Sequence, residues 1–170
     1  MSTSTRPLRL DDWGISWEEY KELTYFCLQY EQKKRDAAAL LTLRLSTPAP
    51  VTYHKMIGNR SVEFGEFLPR GNRTGDPTAA TAAKRDRLMT DIRMIEQAAS
   101  GAAEAAKSAY DWAIDPRYII MAVTTRSGVQ ALYANPKTRP PLGERQFYLV
   151  RRIFYWILHE MKNGDIEPIA

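Results

Sequence analysis

Apolar residues recur at three- and four-residue spacing in the first and last thirds of the chain and lose that rhythm between them. This predicts a mainly α protein with an N-terminal helical arm (1–45), an irregular linker (46–77), a helix-turn-helix-like helical domain (78–162) and a short tail (163–170). In the arm, Trp17, Tyr20, Leu23, Cys27 and Tyr30 form one stripe. Ser16 and Glu19 have the spacing of a capping box, in which each side chain satisfies an orphan backbone donor of the other. The spacing predicts a helix over residues 17 to about 44, broken in the basic cluster Lys33, Lys34 and Arg35. Its stripe serves either an oligomerisation or partner-binding arm, or packing on the rest of the chain. Periodicity shows burial and does not name the neighbour.

From Ser46 to Pro77 the composition shifts to Pro48, Pro50, Gly58, Asn59, Gly65, Pro69, Gly71 and Gly75, which interrupt regular structure. Residues 51–57 and 61–67 could pair across Gly58 and Asn59 as a small hairpin; two glutamates and a glycine in the second segment favour an irregular linker. Lys55, Arg60, Arg70 and Arg73 could reach nucleic acid, but Glu63, Glu66 and Asp76 leave a net charge of only +1 among these seven. Asp76-Pro77 and Asp115-Pro116 each carry a capping acid followed by a first-turn proline, the start signal of a helix. Leu88, Ile92, Ile95 and Ala99 mark the buried edge of the first, and the alanine-rich stretch 98–113 continues it, with Gly101 as a point of bending. Prolines 136, 140 and 141 then separate a short segment around Val129 and Leu132 from a last helix over residues 143 to about 162.

On a helical projection of the last helix, Phe147, Val150, Phe154, Ile157, Leu158 and Met161 share one side. Arg145, Tyr148, Arg151, Arg152, Tyr155 and His159 share the other, which reads as a basic, aromatic face. Arginine attracts phosphates and pairs its planar fork with guanine edges, so such a face on a third helix suits duplex DNA. The pattern alone favours a plain packing helix, because fold-level patterns establish function poorly. Leu149 and Trp156, beside the arginines, could instead dock another subunit.

Ordered blocks then resemble a known family: Gly75-Asp76-Pro77-Thr78-Ala79, Ile95-Glu96-Gln97-Ala98-Ala99, Tyr118 to Thr124, and Gly143-Glu144-Arg145-Gln146-Phe147-Tyr148 followed by Arg151-Arg152-Ile153-Phe154-Tyr155. They are similar to the RinA and ArpU type of phage and prophage late-gene transcriptional regulators, whose C-terminal part is similar to the DNA-reading region of sigma factors. The resemblance covers about residues 75–162; Tyr20 to Tyr30 is also similar to the first helix of related phage proteins. It implies a recognition helix beginning near Gly143, with Arg145, Gln146 and Arg152 toward DNA and Phe147 and Phe154 holding the core. The chain departs from the pattern in the alanine-rich insertion 100–113 and in the long turn 135–142, which bear on the docking angle.

The 24 basic and 20 acidic residues give +4 and a pI near 9.2. Residues 135–162 hold six basic and two acidic groups, which is the whole excess. A content of 44% hydrophobic and 26% charged residues is globular, and 170 residues suit one ordinary domain. The sequence has no apolar run of membrane-spanning length and no secretory leader, and one cysteine excludes an internal disulfide; a soluble protein of a bacterial host's cytoplasm is expected.

No catalytic residues, metal or cofactor are expected. The glycines lack a phosphate-loop context, and His54 and His159 cannot make a metal site alone. His159 reads as a helix-end or phosphate contact, Cys27 as a buried structural thiol, and Asp86, Asp91 and Glu96 as solvated surface. The expected partner is double-stranded DNA, contacted by Arg145, Gln146, Tyr148, Arg151, Arg152, Lys137 and Arg139, with host RNA polymerase engaged through the arm. The alternative is a phage assembly or DNA-packaging adaptor, small-terminase-like, that forms a homo-oligomeric ring through its helices.

Overall fold

A computed structural model describes residues 8–45, 53–57, 60–64 and 77–164. The fold is mainly α. After a 3-10 turn at Asp11–Trp13 come α1 (Trp17–Leu28), α2 (Tyr30–Leu45), strands β1 (Tyr53–Ile57) and β2 (Arg60–Phe64), then α3 (Pro77–Tyr110), α4 (Pro116–Thr124), α5 (Gly128–Ala134) and α6 (Glu144–Asn163). Among the described residues no helix is long and apolar enough to cross a membrane.

The capping box forms as its spacing requires. Glu19 N–H donates to Ser16 Oγ, and Ser16 N–H donates to Glu19 Oε2 at 2.7 Å. The break between α1 and α2 falls at Gln29, not in the basic cluster, and it is slight, since Lys33 N–H still donates to the Gln29 carbonyl at 2.8 Å. The cluster does not break the helix because Lys33 has a partner, Asp91 on α3, at 2.7 Å. Three residues earlier the Tyr30 hydroxyl donates to Glu96 Oε1, also at 2.7 Å. Two of the three acids expected to be solvated surface thus fasten α2 to α3.

The arm is no separate arm. Leu8, Leu10, Ile15, Leu23, Cys27 and Tyr30 belong to the same buried cluster as Ile95, Ile119, Leu132, Phe147, Phe154 and Leu158. Of the two readings of the α1 stripe, packing on the rest of the chain is the one observed. The linker, read as mostly irregular, contains an antiparallel hairpin, with Tyr53 opposite Phe64 and Ile57 opposite Arg60. Two residues, Gly58 and Asn59, separate the two segments, the spacing that brings such segments into antiparallel pairing despite the glutamates. Arg70 and Arg73 lie outside the described residues.

Helix α3 runs unbroken through Gly101 for 34 residues. A Cβ at Gly101 would sit 3.3 Å from Ile157 Cδ1 of α6, so this glycine marks a close contact. Ala98, Ala99, Ala102, Ala103 and Ala106 are buried alongside it. Small side chains let α6 lie close to α3, which explains the alanine-rich composition as packing as well as propensity. The helix stops at Tyr110, where Asp111 adopts φ 55° and returns its N–H to the Lys107 carbonyl, a left-handed cap.

Candidate nucleic-acid interface

Helices α4 and α5 set up the approach to α6. Asp115 caps α4 by accepting from Arg117 N–H at 2.9 Å, with Pro116 in the first turn. The chain reverses at Thr125, Arg126 and Ser127 and enters α5 at Gly128. A Cβ there would lie 2.4 Å from the Ala122 carbonyl oxygen, so this tight joint admits only glycine. The long turn before α6 is strapped down: the Tyr133 hydroxyl donates to the Leu142 carbonyl at 2.9 Å, and burial pushes that phenol's pKa up to about 12. Asn135 Oδ1 accepts from Lys137 N–H, and the Arg139 guanidinium lies 5.7 Å from the centre of the Tyr133 ring. Lys137 and Arg139 are exposed.

Helix α6 is the central beam of the core. Phe147, Val150, Phe154 and Leu158 are fully buried, as their spacing requires, and so is Tyr155. The opposite flank is not free. Tyr20 of α1 meets Tyr155 edge-on at 5.0 Å, Glu19 reaches His159 at 3.5 Å, and the Lys162 ammonium lies over the Phe26 ring. A stripe toward solvent is formed by the exposed Arg145, Trp156 and Asn163 with the half-buried Leu149, Arg152 and Glu160 between them. At 100° per residue this stripe is rotated by about 70° from the basic face read in the sequence.

The expected contacts therefore divide. Arg145, Lys137 and Arg139 are exposed, while Arg152 and Tyr148 are half-buried at the rim. Arg151 is buried, 9% exposed, with α1 packed along that flank, so it reaches no base edge. Gln146 is also corrected: its Oε1 accepts from Gly143 N–H at 2.9 Å and so caps α6. Tyr155 is core, and His159 faces the carboxylates of Glu19 and Glu160, a poor setting for a phosphate. Cys27 is fully buried, and its thiol pKa is pushed up to about 12 by desolvation, as a structural thiol requires. The sequence reading missed Gly128 and the Tyr133 strap; the glycine opening a short helix was the available signal.

None of Lys137, Arg139, Arg145, Arg151, Arg152 and Lys162 pairs with a carboxylate among the described residues, a condition shared with cations elsewhere such as Lys84, Arg87 and Arg93 of α3; Lys33 and Arg117 do pair. The Nε atoms of Arg151 and Arg152 are shut from solvent without an acceptor.

Comparison with protein-family models, curated proteins and solved structures finds no match. Among the described residues no group of His, Cys, Asp and Glu is arranged to hold a metal ion.

Proposed function

We propose that the chain is a phage-encoded transcriptional regulator that reads duplex DNA with the first half of α6 and the turn before it. The supporting observation is the unneutralised charge of residues 135–162, three of whose cations, Lys137, Arg139 and Arg145, stand exposed around the start of one helix. Helix-turn-helix proteins contact base edges with the N-terminal part of the recognition helix and fix their register through phosphates. Arg145 is the base-edge or phosphate contact, Arg152 lies two turns further along the helix, and Lys137 and Arg139 hold the backbone. Host RNA polymerase is then a partner for the outer surface of α1.

The decisive measurement is duplex binding by the full chain against salt. Affinity falls steeply with salt, and the double variant Arg145→Ala, Arg152→Ala, with an unchanged circular dichroism spectrum, loses about tenfold or more. Full affinity in that variant overturns the assignment. Equal binding to random duplex and to late-promoter DNA of the source phage removes regulation while leaving DNA binding. The packaging-adaptor reading draws on the exposed Trp17, Tyr25 and Trp156. A ring of many subunits in a sizing measurement favours it, and a monomer or dimer favours the regulator.

A further inference from the structure

Neither the core nor the solvent-facing stripe of α6 accounts for Arg151. Its guanidinium lies 5.6 Å from the centre of the Tyr148 ring and 5.9 Å from that of Tyr155. Ring faces attract a cation but are weak acceptors for its N–H donors. Nε has no acceptor, and no carboxylate among the described residues pairs with the group. On the α1 side the Cys27 thiol is held protonated by burial, and on α6 the Tyr155 phenol is likewise pushed upward. The other charges that reach Cys27 are the cations Lys33 and Lys162. A cation recessed in this way, 9% exposed with its Nε shut from solvent, calls for a counter-charge, and among the described residues no carboxylate pairs with it.

We propose that Arg151 is a recessed oxyanion seat on the seam between α1 and α6, beside Tyr148, that takes a single phosphate group. Phosphate fits the planar donor fork, and the neighbouring Arg152, whose Nε also lacks an acceptor, adds a second positive charge at the same rim. The occupant is a backbone phosphate of a bound duplex, because Tyr148 and Arg152 join the seat to the face that carries Arg145. That source rests on the duplex reading above; the seat itself does not.

The test follows the arginine Nε–Hε signals of the intact chain by NMR, with the Arg151 signal assigned from its loss in Arg151→Lys. Three solutions are compared at one ionic strength: inorganic phosphate, acetate, and a duplex of the source phage in chloride. The Arg151 signal shifts saturably with phosphate and with duplex, and stays in place with acetate. In binding measurements, Arg151→Lys keeps most of the duplex affinity, while Arg151→Met lowers the salt slope of log K by about 0.9, one phosphate contact. A signal that neither phosphate nor duplex moves overturns the seat, even where duplex binds through Arg145. An equal shift with acetate overturns the assignment to phosphate. A shift with phosphate in a chain that binds no duplex keeps the seat, makes its source a free phosphate, and removes the duplex reading.

Discussion

Replacing Gly128 by alanine tests the joint on which the orientation of α6 depends. The added methyl would meet the Ala122 carbonyl oxygen at 2.4 Å and its carbon at 2.7 Å. These are backbone atoms of α4, which cannot turn aside as the tip of a side chain can. Relief requires α5 to move off α4, and overpacking of this kind costs about 1–3 kcal/mol. Alanine recovers little, because the position opens the helix and the propensity gain, about 0.5–1 kcal/mol in a helix interior, applies only in part. The net loss is about 2 kcal/mol. For a chain of 170 residues this lowers Tm by about 6 °C. A thermal melt followed by circular dichroism at 222 nm reads it directly. Gly101→Ala is the matched control, since its Cβ would touch only the Ile157 side chain, Cδ1 at 3.3 Å and Cγ2 at 3.9 Å, within a helix that alanine favours. That variant holds or raises Tm. A Gly128→Ala protein as stable as the parent would refute the close approach of α4 and α5.

Other perturbations reach other parts of the structure. Tyr30→Phe removes the bond to Glu96 and lowers stability by about 1–2 kcal/mol, and a double-mutant cycle with Glu96→Gln shows the two effects to be non-additive. Phe154→Ala, at a fully buried position, costs about 3–5 kcal/mol in a urea titration. Glu19 has its pKa lowered, chiefly by the Ser16 side chain and backbone and then by His159. A depressed folded pKa contributes stability above the ordinary value of 4.5 that is lost as pH falls through the folded value. Glu19→Gln therefore destabilises at pH 7 and converges with the parent near pH 2; a constant difference across that range contradicts the linkage. Cys27 resists a thiol reagent at pH 8 until the chain unfolds, so rapid labelling of the native protein would place it elsewhere.

The elements that a local signal controls were legible in the sequence. The Ser16 box, Asp115-Pro116 and the apolar edge of α6 each depend on residues within one or two turns, and each forms as read. Only one side of α6 was legible, because a polar flank looks alike whether water or another helix covers it. Tyr155 and Arg151 read as surface since tyrosine and arginine are amphipathic, and only the position of α1 decides that their stems and rings are buried. Asp91 and Glu96 were opaque for the same reason, their partners lying 58 and 66 residues away. Of the residues read as the site, Arg145, Lys137 and Arg139 stand exposed and Arg152 and Tyr148 lie at the rim, while Gln146 and Arg151 needed the cap and the α1 contact to be placed.

The seat of α1 against α6 also governs how the protein is made. Glu19 and His159, which meet across that seam, are 140 positions apart. The first helix leaves the ribosome early and has no lasting surface to pack on until the last helix follows. Contacts of such separation form late, and the exposed apolar stripe of α1 must wait for them. A message truncated before residue 143 thus yields a chain without its central beam, open to proteolysis, and the exposed cations at the start of α6 are displayed only on a finished protein.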